Sequence, residues 1–431
     1  MSDVKQSDID IVVNAFKIFF QLSMQRKGFN FADFLGIMEQ TFKSAGYRDP
    51  QGGGDGQRNI LIIQDSAVGD FVLTSGAVRE IRRLYPNAYI EMVIYPRCQN
   101  IAEKCPYVDE IVSKDRPYPN WNHPAFFYMH NVEFAERLLK RRFDVCYSFG
   151  HYMDSNFLMY MSGAKTRITF DLNNTPYEIF NCLATHPIKI APQHYVESRM
   201  SIIDDVLHSP VANRDIEVWY TEEDLKIAKS LLNGVSRPIY ALCMGGTFAK
   251  KFYPPEKYTK LVKMILNEEP TATFILLGGG DEDLKSAETF KSNLPEKLLK
   301  NVIDLTNKFT YRQNAAVLSM CEMYIGNDTG ALHEAAAVKC PILTVNCFSL
   351  DLPNKEKSIP KTYAPHHVTS VVIQPKHALP ECAVNEPYDS YGCRADRPHC
   401  ITQIDPETIF KGFHLLKDRI AKNLIEPLYI S

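Results

Sequence analysis

The sequence predicts an α/β protein made of two doubly wound halves that face a cleft, preceded by a helical appendage. Short apolar runs alternate with helical segments twice along the chain, once after Arg58 and again after Pro238. Alternation of this kind produces parallel sheets that are covered by helices. The length of 431 residues also exceeds what one ordinary hydrophobic core accommodates, which favours two domains.

Residues 1–57 are predicted to form a helical appendage that ends in a Gly-rich linker. Ser7 and Asp10 have the spacing of a capping box, and an apolar stripe at helical spacing follows them. Asn30 is placed to cap a second helix that extends to Phe42. Two helices are too few for a core of their own, so we expect them to pack on the main body or on another subunit. Residues 51–57 are the flexible linker.

The first domain is predicted over residues 58–234 and begins with a strand at 59–63, followed by a helix at 71–85. Its further strands are expected at 89–95, 110–112, 143–148 and 166–169, with a short helix at 99–104. The segment 116–127 is rich in Pro and aromatic residues, and we expect a loop there.

The second domain is predicted over residues 235–405, with strands at 239–243, 272–277, 302–305, 323–325 and 341–345. The Pro-rich segment 349–400 has no periodic pattern and is predicted to be irregular. Residues 406–431 are assigned to a C-terminal helix. Asp405-Pro406-Glu407 is a strong helix start, and the helix is expected to reach about residue 423.

Composition excludes several classes of protein. Apolar residues make up 45% of the chain and charged residues 23%, as in soluble globular proteins. A formal net charge of −3 offers no basic face for nucleic acid, and no apolar run is long enough to span a bilayer. The N-terminus lacks the pattern of a signal peptide, so we expect a cytoplasmic protein. Its thiols should be reduced core residues, as at Cys146, Cys182, Cys243 and Cys321.

The most informative stretch runs from the strand ending near Ile325 into an Ala-rich helix. Thr329 and Gly330 stand where the strand turns into the helix, and a helix start offers unpaired N–H groups and a positive dipole end. His333 falls one turn later on the same side as Thr329. This pattern predicts a pocket for a phosphorylated ligand. The alternative is that Asp328 or Thr329 simply caps the helix.

Asp70 follows the first strand, and Gly69 before it permits a tight turn into the next helix. Two interpretations are open. Asp70 is either a first-turn acid that stabilises its helix, or a general base that takes a hydroxyl proton. Asp65, earlier in the same loop, is a second candidate for the base.

Two loops of the second half carry polar groups directly after strands. Thr247 offers a hydroxyl, and Lys250 or Lys251 offers a cation for an anionic leaving group. The alternative is a solvated loop with two surface lysines. After the second strand, acids such as Glu282 follow the glycines 278–280 and are placed to accept hydrogen bonds from ribose hydroxyls.

Together these segments resemble glycosyltransferase family 9, the lipopolysaccharide heptosyltransferases. The resemblance runs from Asn59 to about Phe410 and rests on five segments in the right order. They are residues 60–72 with Gly69-Asp70, Lys251-Phe252-Tyr253-Pro254, the Gly-rich turn with Glu282, Gly326-Asn327-Asp328-Thr329-Gly330 with His333, and Cys393 to Cys400 with Ile404-Asp405-Pro406.

The resemblance implies the GT-B fold, in which one Rossmann-like domain binds the acceptor and the other binds the nucleotide sugar. It implies an inverting transfer of heptose from ADP-heptose to a lipopolysaccharide core or related glycan, with no metal required for catalysis. By motif match, Asp70 is the base that deprotonates the acceptor, and Lys251 neutralises the departing diphosphate with Thr247 nearby. Glu282 holds the ribose. The remaining donor-binding residues contact the diphosphate and the sugar, and they are Asp328, Thr329, Gly330 and His333.

The chain departs from the family pattern at three places. Gly76 stands where the family commonly has Pro, and the run Asn346 to Ser349 replaces a frequent Gly-Pro-Thr close to the donor pocket. The first 57 residues have no counterpart in the enzymes of lipopolysaccharide core synthesis. A branch that glycosylates autotransporter adhesins keeps a protein acceptor open beside a glycolipid, and a peripheral membrane contact and a homo-oligomer fit either acceptor. A nucleotide-sugar epimerase and a non-catalytic GT-B protein are the alternatives from other classes.

Three cysteines in the irregular segment form a candidate metal site. They are Cys382, Cys393 and Cys400, with His377 and His399 nearby in the sequence. Such a set suits a structural zinc or iron ion, and related protein heptosyltransferases carry a cysteine-bound iron in this region. Free thiols are the alternative, because the spacing lacks the close pairs of a zinc ribbon.

Overall fold

The computed structural model contains two parallel sheets with helices packed on them, which confirms the predicted α/β class. The structure describes residues 5–24, 31–48, 58–114, 124–150, 153–171, 178–189, 193–246, 248–351, 359–378 and 399–431. The chain divides into two compact units that are not continuous in sequence. The first unit comprises Met1–Ser66, Ala77–Ala191 and Arg199–Ala212, and the second comprises Ala67–Gly76, Pro192–Ser198 and Asn213–Ser431. The predicted domain boundaries stay predictions.

The sheet of the first unit has six parallel strands in the order β3-β2-β1-β4-β5-β6. The strands are β1 Asn59–Gln64, β2 Tyr89–Ile94, β3 Glu110–Ser113, β4 Val145–Ser148, β5 Thr166–Phe170 and β6 His186–Ile188. This order is that of a doubly wound dinucleotide-binding sheet. The sequence analysis did not predict β6, because a three-residue edge strand with a central Pro carries no alternation signal.

The helices of this part of the chain include two whose limits differ from the prediction. They are α3 Val68–Leu84, α4 Gln99–Ala102, α5 Pro124–Arg141 and α6 Met153–Met161. Helix α3 begins three residues before the predicted start, which puts Asp70 in its first turn. The predicted loop 116–127 was wrong at its end, because α5 already begins at Pro124, a residue suited to the first helical position. Residues 115–123 lie outside the described part.

Two N-terminal helices, α1 Gln6–Met24 and α2 Phe31–Ser44, pack their apolar stripes within the first unit. The Phe16 and Phe157 rings lie 4.9 Å apart, and Arg48 lies over the Phe42 ring at 3.7 Å from its centroid. The predicted capping box was wrong at its start, because the helix begins at Gln6 and Ser7 therefore lies inside it. The two helices were expected to pack either on the main body or on another subunit, and they pack on the body of the same chain.

The sheet of the second unit has seven parallel strands in the order β13-β12-β11-β10-β7-β8-β9. The strands are β7 Ile239–Cys243, β8 Thr273–Leu276, β9 Val302–Asp304, β10 Met323–Asn327, β11 Ile342–Val345, β12 Ser370–Ile373 and β13 Leu428–Ile430. Strand β12 lies inside the segment that was predicted to be irregular, and β13 follows the C-terminal helix. Strand β12 was missed inside a Pro-rich segment and β13 at the end of the assigned helix, because neighbouring strands rather than a local pattern decide their conformation.

A large apolar cluster lies against this sheet, with helical residues from the segments 255–268, 281–292 and 406–421. The α-helices of residues 195–421 are α7 Tyr195–Ser201, α8 Glu222–Leu232, α9 Pro255–Glu268, α10 Asp281–Ser292, α11 Glu296–Leu299, α12 Tyr311–Leu318, α13 Gly330–Ala337, α14 Ile359–Thr362 and α15 Pro406–Ala421. Helix α15 begins and ends close to the predicted limits, but the chain beyond it continues into β13 rather than as helix.

All cysteines of the described residues are free thiols. Cys146, Cys243 and Cys321 are buried, as predicted. The prediction was wrong for Cys182, which is exposed. None of the helices in the described part is both long and apolar enough to cross a membrane.

Candidate active site

The candidate site lies in the second unit, where β10 turns into α13. Thr329 occupies the N-cap position with extended backbone angles, and Gly330 begins the helix. The Thr329 side chain makes no capping hydrogen bond, and its hydroxyl lies 3.5 Å from the Tyr324 hydroxyl. The capping alternative therefore does not account for Thr329. The backbone N–H groups of the first turn and the positive dipole end suit an anion.

A buried asparagine fixes this turn. The sequence analysis named it only as part of the segment 326–330 and assigned it no role. Asn327 is completely buried, and its amide donates to the carbonyl oxygens of Met244 and Gly245 at the end of β7. The Tyr258 hydroxyl donates to the Asn327 side-chain oxygen at 2.8 Å. Asn327 thus ties the α13 turn to the loop after β7. Its sequence signals were its place in that segment and a polar residue ending an otherwise apolar strand.

Lys251 and Asp328 form an ion pair at the same end of the sheet. The Lys251 ammonium lies 3.0 Å from the Asp328 carboxylate and also donates to the Asp328 carbonyl oxygen at 3.1 Å. Burial lowers the pKa of Lys251, but the Asp328 carboxylate more than offsets this and the pKa lies above its usual value. Lys251 therefore keeps its positive charge over the physiological pH range. The neighbouring Lys250 instead lies near the Phe248 and Phe348 rings.

The first turn of α3 meets the first turn of α13 within the second unit. A Cβ atom on Gly69 would lie 2.8 Å from Cδ2 of His333 and 3.5 Å from Cα of Gly330. Only a glycine permits this approach. Two positive helix ends are thus adjacent, and their mutual repulsion favours negative charge between them. Asp70 is half-buried in the first turn of α3, and its charge contributes to the raised pKa of Lys251.

His333 is the buried polar group at this junction. Its Nδ1 atom has no hydrogen-bond partner among the described residues. Burial lowers the pKa of His333 to about 4, partly offset by the nearby Asp328 carboxylate. The imidazole is therefore neutral at physiological pH, with one nitrogen that donates and one that accepts a hydrogen bond.

We expect Gly69→Ala to displace the His333 ring, because its Cβ would lie closer to Cδ2 than non-bonded carbons approach. Overpacking of this kind costs about 1–3 kcal/mol of folding free energy, which chemical denaturation measures. Gly36→Ala is the matched control: a Cβ there meets nothing within 4 Å, and alanine in a helix should stabilise by about 1 kcal/mol. Equal effects of the two substitutions would contradict the close approach.

Of the three consecutive acids at the start of α10, Asp283 reaches the strand ends. Its carboxylate accepts the Gly279 N–H at 3.0 Å and occupies the space that a Cβ on Gly245 would fill. Burial raises the pKa of Asp283 to about 6. Glu282, which the family resemblance assigns to the ribose, has a side chain 59% exposed that pairs with Lys285 at 2.6 Å. The sequence analysis did not single out Asp283.

The remaining predicted residues are placed as follows. Asp65, the second candidate for the base, is buried in the first unit and accepts a hydrogen bond from the Ser155 hydroxyl at 2.6 Å. Cys400 is buried, and its sulfur lies 3.5 Å from Nδ1 of His399. Thr247, Cys382 and Cys393 lie outside the described residues. The cysteine metal site and the role of Thr247 therefore stay predictions.

Comparison with known proteins identifies the family. The model of glycosyltransferase family 9 (heptosyltransferase) matches residues 132–349, just over half of the chain. Lipooligosaccharide heptosyltransferase 2 of Haemophilus influenzae is 24% identical over 300 residues, which cover 67% of this chain and 82% of that protein. Lipopolysaccharide heptosyltransferase 2 of Escherichia coli K12 is 22% identical over 297 residues, which cover 66% and 82%.

Solved structures share the fold. A family 9 glycosyltransferase from Veillonella parvula superimposes with a TM-score of 0.64 at 16% identity, covering 83% of this chain and 97% of that one. The E. coli ADP-heptose lipopolysaccharide heptosyltransferase II gives a TM-score of 0.62 at 16% identity, covering 84% and 99%. These likenesses confirm the GT-B fold with two Rossmann-like halves. The family match over the turn that carries Asp328 and His333 shows that the chain belongs to glycosyltransferase family 9, the heptosyltransferases.

Proposed function

We propose that this glycosyltransferase moves a heptose from ADP-heptose to a lipopolysaccharide-type saccharide, with inversion at the anomeric carbon. The observation that carries the proposal is the meeting of two helix starts beside the Lys251–Asp328 pair, with Asp70 in one of them. The relatives named as lipopolysaccharide and lipooligosaccharide heptosyltransferases support the sugar and the acceptor class. An E. coli heptosyltransferase structure with ADP, which has a TM-score of 0.58, supports the shared fold.

In the proposed reaction, the Asp70 carboxylate takes the proton of the acceptor hydroxyl as that oxygen attacks the anomeric carbon of the donor. The new carbon–oxygen bond forms while the bond to the diphosphate breaks, and the electron pair leaves with the ADP. A single displacement of this kind inverts the anomeric centre and needs no covalent intermediate. It needs one base and a stabilised leaving group.

The positive charge for the leaving diphosphate comes from Lys251 and from the N–H groups at the start of α13. Asp328 holds the Lys251 ammonium in place before the reaction, which reduces the reorganisation that charge separation requires. The neutral His333 is proposed to donate a hydrogen bond to a phosphate or sugar oxygen from its buried position. These groups supply the charge stabilisation, so the proposal assigns no catalytic role to a metal ion.

The donor ribose is proposed to bind an acid at the start of α10. Glu282 fits the family motif, whereas the half-buried carboxylate of Asp283 lies at the ends of β7 and β8. A half-buried carboxylate that already accepts a backbone N–H is better held for ribose hydroxyls than an exposed side chain that pairs with Lys285. We therefore favour Asp283. Thr247 keeps its proposed place beside the diphosphate.

Asp283→Asn is expected to stabilise the nucleotide-free protein while weakening ADP binding. The pKa of Asp283 is about 6 in the folded protein against 3.8 as the ordinary value, so the folded state binds more protons between these values and the charge costs stability as pH rises. Removing the charge should add of order 1 kcal/mol at neutral pH, a figure reduced for partial solvation. Loss of a charged acceptor should weaken ADP about 10- to 100-fold.

Two further measurements accompany this variant. In the wild type, ADP affinity from calorimetry should fall as the pH is lowered through about 6, and Asp283→Asn should lose this dependence. Glu282→Gln tests the other acid. If Glu282→Gln weakens ADP binding and Asp283→Asn does not, Glu282 and not Asp283 binds the ribose.

Thermal-shift measurements against ADP, UDP, GDP and CMP test the proposed donor, because a ligand that binds only the folded state raises its melting temperature. We expect ADP to stabilise selectively. Transfer from ADP-heptose to a truncated lipopolysaccharide core should then yield product only when both are present. Preference for UDP or GDP would overturn the donor, and product from donor alone would indicate an epimerase.

A further inference from the structure

A second cluster of chemically capable side chains lies in the second unit, apart from the residues assigned above. Glu197 of α7 and the consecutive residues His366 and His367 each offer one ligand atom, and the three atoms lie within 4.8 Å of one another. Two imidazoles and one carboxylate are a ligand set that zinc and related divalent ions accept. We propose that Glu197, His366 and His367 form a binding site for a divalent transition-metal ion such as Zn²⁺.

Hydrogen bonds fix which nitrogen of each histidine is available. Nε2 of His366 lies 2.8 Å from the carbonyl oxygen of Arg214, and a carbonyl only accepts, so Nε2 carries the proton and Nδ1 keeps its lone pair. Nδ1 of His367 lies 3.0 Å from the Asp215 carboxylate, which leaves the lone pair on Nε2. A ligand histidine whose other nitrogen donates to a carbonyl or carboxylate is the usual arrangement at metal sites.

A third histidine in the same stack, His194, has no ring nitrogen available for a metal ion. The His194 ring stacks on His366 with centroids 4.8 Å apart. Its Nε2 lies 2.9 Å from the Ala364 carbonyl oxygen, and its Nδ1 accepts the Val196 N–H at 3.1 Å. Both nitrogens of His194 are thus engaged with the backbone. The site consequently takes three protein ligands, which leaves a fourth position for water or another donor.

The backbone at His367 brings the two neighbouring rings together. His367 has a φ of 48°, in the left-handed region that non-glycine residues seldom occupy. The His366 and His367 rings lie face to face with centroids 3.9 Å apart. Consecutive side chains converge in this way only because the backbone takes this conformation. Such conformations persist where surrounding contacts hold them, and they concentrate at ligand sites.

The charges around the cluster cancel. Arg214 donates to Glu197 at 2.6 Å, and Lys339 donates to Asp215 at 2.8 Å. No net charge from these four residues repels or attracts a dication, so affinity depends on the three ligand atoms. The Glu197 and His367 side chains are 31% and 43% exposed, which leaves the site open to ions from solvent. A bound ion would tie α7 to the turn after α14.

Calorimetric titration of the tag-free full-length protein with ZnCl₂, alone, tests the site. We expect His367→Ala to lose one equivalent of Zn²⁺ relative to the wild type, and Asp215→Asn to weaken that equivalent about 10- to 100-fold. His414→Ala is the matched control, since its side chain is similarly exposed at 48% and its imidazole likewise pairs with a carboxylate, that of Glu268. Zinc should raise the melting temperature of His414→Ala as much as that of the wild type. The rise should be smaller in His367→Ala, because the variant lacks this site.

The cysteine segment is a competing source of metal binding, and Co²⁺ distinguishes the two. Thiolate ligands give a charge-transfer band in the near ultraviolet, which histidine and carboxylate ligands lack. We expect one Co²⁺ equivalent without that band, present in the wild type and absent in His367→Ala. Equal Zn²⁺ stoichiometry and affinity in wild type and His367→Ala, or binding only with thiolate absorption, would overturn the proposal. Far-ultraviolet circular dichroism verifies that each variant is folded.

Discussion

Asp70→Asn is expected to remove most transfer activity while ADP binding stays near that of the wild type. Asparagine keeps the size and polarity of the side chain but cannot take the proton of the acceptor hydroxyl. The loss of a general base reduces the rate about 10²- to 10⁴-fold. Asp70 is half-buried in the first turn of α3, the helix whose start touches His333. Steady-state transfer rates and ADP calorimetry on the same preparation measure the two expectations.

The competing interpretation of Asp70 makes a different prediction. If Asp70 only stabilises its helix, Asp70→Asn should cost about 0.3–1 kcal/mol of stability and leave turnover unchanged. Asp33→Asn is the control, because Asp33 is also a first-turn acid, exposed and in α2 of the appendage. The control should show the small stability effect alone. Wild-type turnover in Asp70→Asn would remove this residue from the mechanism.

Lys251→Met should lower both the free energy of unfolding and the transfer rate, each for a different physical reason. The Asp328 side chain is only 7% exposed. Without Lys251, its carboxylate would keep the hydrogen bond from the Asn346 amide at 3.4 Å. A buried carboxylate that loses its cation costs about 3 kcal/mol in folding free energy. The loss of a charge that stabilises the leaving diphosphate should lower the rate about 10²- to 10³-fold. Denaturant unfolding and transfer kinetics measure the two effects.

The double variant Lys251→Met/Asp328→Asn separates the two reasons. Removing the carboxylate as well should restore most of the lost stability, since no buried charge is left without a partner. Activity should not return, because the proposed mechanism requires the Lys251 cation at the diphosphate. Lys260→Met, on the exposed side of α9, is the control and should change neither quantity. Recovery of turnover in the double variant would show that Lys251 acts only on folding.

The turn from β10 into α13 was predictable because it is local. Gly330, Thr329 and His333 are within one turn of each other along the chain, so spacing alone put them on one helix start. The same holds for Asp70 in α3. The start of α3 differed by three residues, because the loop residues before Phe71 join the helix once its first turn packs near α13. Element limits depend on such packing more than on propensity.

Contacts between distant segments were not predictable. Asp328 lies 77 residues from Lys251, and no local pattern predicts that Lys251 rather than Lys250 pairs with it. The roles of Asn327 and Asp283 were not predictable, since Asn327 was one residue of a longer motif and Asp283 one of three consecutive acids. Their importance comes from filling space beside Met244 and Gly245, which sequence spacing does not encode.

The sequence by itself determined the alternation of strands and helices, the family, and the turn from strand to helix at Thr329 and Gly330. These follow from local periodicity and from residue types at short spacing, which act before the chain is compact. Only the tertiary structure decided which lysine meets Asp328, which acid reaches the strand ends, and that Glu197 comes close to His366 and His367. Such pairings form between segments far apart in the chain, where close packing rather than local preference selects the partners.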